Sequence, residues 1–169
     1  MILLDVYVVF HNHEIDYWSR VTSRLTKTDI NHCGIMVSAG DSDPIYYLTS
    51  ANRSLRVVDA ETCFRKQEPQ SIFFMGTVTK QSGKILDLEK EYYIKPKLLV
   101  FWYCLGRFLF PFWKPNSCVH FVCKFLQSVG INVSMFPTPL RLYKELENAS
   151  NYVKWKGKSW QDLLGKDDC

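Results

Sequence analysis

The sequence predicts an α+β domain built on an antiparallel sheet. Three observations carry that expectation. Apolar, β-branched runs follow one another through the first 79 residues, and their connections are too short for parallel crossovers. A well-marked helix starts at Cys118, late in the chain. The 169 residues suit one domain, 1–169, with 150–169 as a C-terminal tail.

The elements follow from local pattern. Leu3 to Phe10 is an apolar, β-branched run and reads as the first strand. Tyr17, Val21 and Leu25 recur at helical spacing, so a short helix is expected over Asp16 to Leu25. His32 to Ala39 reads as a strand, Gly40-Asp41-Ser42-Asp43-Pro44 as a turn, and Ile45 to Ser50 as the returning strand. Leu55 to Asp59 and Ser71 to Thr79 are further strands, and Asp87 to Tyr93 opens a helical region that Pro96 interrupts. Asn116 to Ile131 carries apolar residues at helical spacing, a small polar residue at its start and Gly130 where a helix terminates. Pro139 suits the first position of a last helix, Leu140 to Asn148. Trp155 and Trp160 give the polar tail a means of docking on the body.

Composition excludes several classes. A formal charge of +4 is too mild to mark a nucleic-acid binder, and none is expected as a partner. Six cysteines without paired spacing argue against a disulfide framework or a zinc ribbon. Met1-Ile2-Leu3-Leu4 runs straight into Asp5 with no basic region before it. The expectation is therefore cytoplasmic synthesis with free thiols, which leaves a membrane surface or a virion open as a later address. No cofactor or metal is expected. Gly83-Lys84 lacks the remainder of a phosphate loop, and no Gly-x-Ser-x-Gly elbow is present.

Cys118 is the leading candidate for chemistry. A cysteine in the first turn of a helix faces unpaired N–H groups and the positive end of the helix dipole, and both favour the nucleophilic thiolate. The competing reading is a small buried hydrophobe, the common fate of a free cysteine. Cys33, Cys104 and Cys123 fit that second reading better. His32 is the leading candidate base, because it opens a strand and Gly34 clears room on its face. His11 and His13 are read as solvated residues of a polar turn. His120 follows Cys118 by two positions, about 200° around the helix, and does not reach its thiol.

His32-Cys33-Gly34-Ile35-Met36-Val37 and Asn116-Ser117-Cys118-Val119-His120-Phe121-Val122 stand in the order histidine strand first, cysteine helix last. In that order they resemble the circularly permuted branch of the NlpC-type, papain-like cysteine hydrolases, which includes relatives of lecithin:retinol acyltransferase. The resemblance spans residues 3 to 131. It implies an antiparallel sheet packed against the nucleophile helix, Cys118 as nucleophile, His32 as general base and the Cys118 N–H as an oxyanion donor. It also implies a third, often acidic residue on the strand after the histidine strand. Thr49 occupies that position here, where a hydroxyl orients an imidazole without stabilising its charge. The implied activity is hydrolysis of an amide or ester in a peptide, cell-wall peptide or acyl lipid. A non-catalytic structural module and an acyltransferase are the alternatives.

Residues 98–113 are dense in aromatic and aliphatic side chains but too short and broken for a membrane span, which needs about 20 residues. The sequence favours one or two core helices there. A membrane or hydrophobic partner is the sharper alternative.

Overall fold

The computed structural model describes residues 3–12, 17–38, 46–51, 54–79, 101, 104–105, 107–109, 117–134, 138–155 and 160–163. The expected turn at Gly40–Pro44, the helical region at Asp87–Tyr93 and His13 lie outside them. Strand β1 (Leu3–His11) leads through α1 (Tyr17–Thr26) to β2 (His32–Ser38), then β3 (Tyr46–Ala51) and β4 (Ser54–Asp59). A short helix, α2 (Ala60–Lys66), precedes β5 (Ser71–Thr79). Then come α3 (Arg107–Leu109), α4 (Cys118–Ser128), α5 (Pro139–Asn148), β6 (Val153–Lys154) and α6 (Trp160–Leu163).

Among the described residues the strands form one six-stranded sheet in the order β4-β3-β2-β1-β5-β6, and every neighbouring pair is antiparallel. The domain is α+β, with β1 at the centre. That position explains the composition of β1: Val6, Val8, Val9 and Phe10 are all fully buried, as a strand covered on both faces requires.

Register sorts the side chains onto two faces. Val6, Val8 and Phe10 stand opposite Val37, Ile35 and Cys33, and these residues share the larger core with Phe73 and Met75. Helix α4 covers this face with Val119, Phe121, Val122, Cys123, Phe125 and Leu126, and α5 adds Leu142 and Leu146. The other face carries Val9, Met36 and Ile72 under Ala60 and Phe64 of α2. A bulge between Val6 and Tyr7 keeps the first face continuous. Val8 pairs with Phe73 but Val6 pairs with Gly76, so Met75 is the extra residue. Strand parity flips there, which lets both Met75 and Val78 pack on the same core. Gly76 adopts φ +132°, a conformation that suits only glycine well.

The helix ends follow their sequence signals. Asp59 ends β4 and caps α2, its Oδ2 accepting from the Thr62 N–H at 2.7 Å. Thr138 caps α5, with Pro139 in its first turn. Gly130 closes α4 at φ +87°, while the Ile131 N–H donates to the Leu126 carbonyl at 2.9 Å.

The tail docks as a real part of the body. The Trp155 N–H donates to the Ile72 carbonyl at 2.8 Å. Lys154 Nζ lies 5.0 Å from the Tyr143 ring centre and donates to Glu147 at 3.2 Å. Trp160 meets Phe64 edge-on at 5.8 Å.

Three sequence expectations are corrected, the simplest being Cys104, which is exposed and not buried. His11 is the last residue of β1 and 1% exposed, because Phe64 packs against its ring at 5.7 Å. The stretch 98–113 is not core where it is described: Phe101, Leu105, Phe108 and Leu109 are 43, 49, 69 and 56% exposed. No helix among the described residues is long and apolar enough to cross a membrane.

Phe73 tests the larger core. It is fully buried and meets Phe10 and Tyr143 edge-on at 5.8 and 5.6 Å. Phe73→Ala is expected to cost about 3–5 kcal/mol, read as a lower urea midpoint at an unchanged slope.

Candidate functional site

The site forms where the first turn of α4 meets the beginning of β2. Each half is fixed by its own local structure. On the helix side, Ser117 is 4% exposed and its Oγ accepts from the His120 N–H at 3.3 Å. The Ser117 carbonyl accepts from the Phe121 N–H at 3.1 Å, so the helix begins with Cys118 itself. The apolar face that follows anchors the first turn to the sheet.

On the strand side, the chain reaches His32 through a tightly bonded corner. Thr28 Oγ1 accepts from the Ile30 N–H at 3.0 Å. The Asn31 N–H donates to the His11 carbonyl at 3.3 Å. The Asn31 side chain, 8% exposed, donates to Asn12 Oδ1 at 3.4 Å and to Ser23 Oγ. Gln67 Nε2 donates to the Asn12 carbonyl at 3.1 Å, which ties α2 to the same corner. His32 thus leaves a position held from α1, β1 and α2 at once.

His32 and Cys33 point to opposite faces by strand parity, yet Cys118 contacts both. The thiol therefore sits over the end of β2, where a ring from one face and a sulfur from the other are both in reach. His32 hydrogen-bonds Cys118, and so do the Cys33 thiol and the Cys33 backbone N–H. The Cys118 thiol is held well below the usual thiol range. The hydrogen bond from the Cys33 thiol is the largest cause; burial opposes it, and the charge of His32 and the two remaining hydrogen bonds reinforce it. Cys33 moves the opposite way, pushed up by burial first and then by Cys118 and Cys123. Cys118 retains partial exposure, whereas Cys33 and Cys123 have none.

Of the candidates read from sequence, Cys118 and His32 are brought together. Thr49 lies on β3 opposite Arg56 of β4, and its side chain is outside the described residues. His120 is half-buried on α4, its N–H committed to Ser117. Cys63 is on α2, its thiol raised chiefly by burial. Among the described residues no group of three or more His, Cys, Asp or Glu side chains is arranged to hold a metal ion.

Sequence reasoning missed two neighbours of the site. Cys33 is the buried core residue that the sequence suggests, but its interaction with Cys118 has no local signal. His11 stands directly opposite His32 in the β1–β2 register, with ring centres 6.3 Å apart. Antiparallel pairing of the two strands would have signalled that contact.

Asn31 is the test of the corner. Asn31→Ala removes a buried amide shared by Asn12 and Ser23, and is expected to cost about 1–3 kcal/mol in urea unfolding. Alkylation of Cys118 should slow in the same variant, because the start of β2 loses its anchor.

Comparison of the chain with models of known protein families, with curated proteins and with solved structures finds no match.

Proposed function

We propose that this protein is a thiol hydrolase of the permuted NlpC-type, papain-like class, cleaving an amide or ester bond. The observation that carries the reading is the hydrogen bond of His32 to a depressed Cys118 thiol at a helix start. Cys118 Sγ attacks the substrate carbonyl, while first-turn N–H groups of α4, which lack intrahelical acceptors, stabilise the oxyanion. His32 gives its proton to the leaving amine or alcohol, and a thioester forms. His32 then takes a proton from water, the hydroxide attacks the thioester, and the acid leaves with Cys118 restored. Thr49 is assigned the orienting role. The β2–β3 register supports this at the level of backbone, since Leu48 pairs with Ile35 and β3 continues from there toward the His32 end of β2.

Alkylation and turnover test the reading together. The thiolate is the reacting form, so a depressed thiol keeps reacting as pH falls. Iodoacetamide at mildly acidic pH should modify Cys118 ahead of the other cysteines, with Cys63 displaced toward higher pH. His32→Ala removes a charge and a hydrogen bond, so the Cys118 profile should move up in pH. His32→Ala is also expected to lower kcat/KM on an activated acyl ester by roughly 10²–10⁴-fold. Equal reactivity of all cysteines would sink the enzyme reading. Selective alkylation without hydrolysis would favour a binding module that keeps the fold.

One observation favours an acyl substrate presented at a lipid surface, including transfer to an amine or alcohol instead of water. Phe101, Leu105, Phe108 and Leu109 are exposed just ahead of the Cys118 helix. Residues 92–144 also contain no Asp or Glu and seven Lys or Arg. Apolar anchors together with basic charge are the two signals that hold a protein on an anionic bilayer. Phosphatidylserine vesicles should float with the wild type, and a Phe108→Asp, Leu109→Asp double variant should stay behind. Equal flotation of both proteins would remove this reading.

A further inference from the structure

Hydrolysis uses Cys118 and His32 but has no task for the thiol of Cys33. Cys33 is nevertheless 0% exposed and in hydrogen-bond contact with Cys118. We propose that Cys33 and Cys118 form an oxidative modification site, in which a peroxide oxidises Cys118 and Cys33 captures the product as an intramolecular disulfide. This rests on the reactive Cys118 thiolate of the preceding section, not on hydrolysis.

The Cys118 thiolate attacks one oxygen of the peroxide; the O–O bond breaks, an S–O bond forms, and hydroxide or alkoxide leaves. Sulfur loses two electrons and the peroxide gains them, giving a sulfenic acid. The Cys33 sulfur then attacks Cys118 Sγ, an S–S bond forms and the S–O bond breaks. The departing hydroxide and the Cys33 proton make water.

Three features favour this pair. Cys118 is the member of the pair with partial exposure, whereas Cys33 is sealed. Cys118 packs against the core cluster that contains Cys33, so an S–S bond of about 2.05 Å closes between neighbouring elements already held together. Cys123, the third thiol of the cluster, is the wrong partner for Cys118. Five positions along one helix separate them by about 7.5 Å of rise and roughly 140° of rotation. The high proton affinity of the Cys33 thiol slows its attack, and packing in one cluster offsets that by making the step intramolecular.

The experiment uses the full chain, reduced, then treated with hydrogen peroxide and mapped under non-reducing conditions by mass spectrometry. The expected product is a Cys33–Cys118 disulfide peptide, with loss of iodoacetamide labelling at Cys118 that dithiothreitol restores. In Cys33→Ala, with Cys33→Val as a second filling of the same volume, Cys118 should proceed to the sulfinic acid and dithiothreitol should no longer restore labelling. Near-UV circular dichroism identifies the variant that keeps native packing. Oxidised wild type carrying a sulfinic Cys118 beside a free Cys33, or a Cys33–Cys123 bond, overturns the proposal while leaving the hydrolase reading intact. A Cys118 that oxidises no faster than the other cysteines overturns both.

Discussion

Helix α4 lies on the sheet through Val119, Phe121, Val122, Cys123, Phe125 and Leu126, and this contact sets where its first turn comes to rest. The rest of the molecule can be understood as support for it. β1 is buried on both sides, so β2 and β5 are locked to it, and the surface that α4 meets is rigid. The bulge at Met75 keeps that surface apolar where simple alternation would have turned it outward. Helix α5 then holds α4 from the side through Leu142 and Leu146, while Lys154 and Tyr143 fasten the tail to α5. A helix that slid by one residue would move Cys118 by about 1.5 Å and rotate it by roughly 100°, enough to break its contacts with β2.

Much of this was legible in the sequence because period-two and period-3.6 patterns are strong where one element faces one environment. The strands Ser71–Thr79 and Leu3 to Phe10, and the helix at Cys118 with its Ser117 cap and Gly130 stop, were all readable in that way. Helix α2 was not, since seven residues give too few repeats for a period to emerge. Strand β6 has two residues and is defined only by its neighbour β5. His11 was misread for a different reason. Asn12 and His13 give it the look of a turn, and nothing local reveals that Phe64, 53 positions away, will cover it. The apolar run before Cys118 illustrates the limit of composition: aromatic density favours burial, yet Phe108 and Leu109 are exposed.

The site shows the same division between local and long-range information. A cysteine at a helix start announces itself, and so does a histidine at a strand start. That they converge depends on the apolar face of α4 and on the Asn31 corner, neither of which is a motif. The role of Cys33 is further from view. Residues 32 and 33 point to opposite faces, so sequence reasoning separates them. Only the placement of Cys118 over the strand end reunites them around one sulfur.

That arrangement bears on the hydroxyl residue at position 49. In the proposed mechanism the resting imidazole and thiolate form an ion pair, and the thiolate itself provides the counter-charge that an acidic third residue would otherwise supply. The Cys33 thiol adds to this by donating to the Cys118 sulfur, which stabilises the anion without consuming His32. Acylation removes the thiolate and with it the need for imidazolium. What the second half of the reaction requires is a neutral imidazole, correctly oriented, that can take a proton from water. A hydroxyl supplies the orientation, although unlike a carboxylate it does not stabilise the imidazolium that forms as the proton is taken. The absence of an acid at Thr49 therefore weighs against thiolate formation less than comparison with a charged triad suggests, because two groups on β2 and the first turn of α4 already supply the stabilisation.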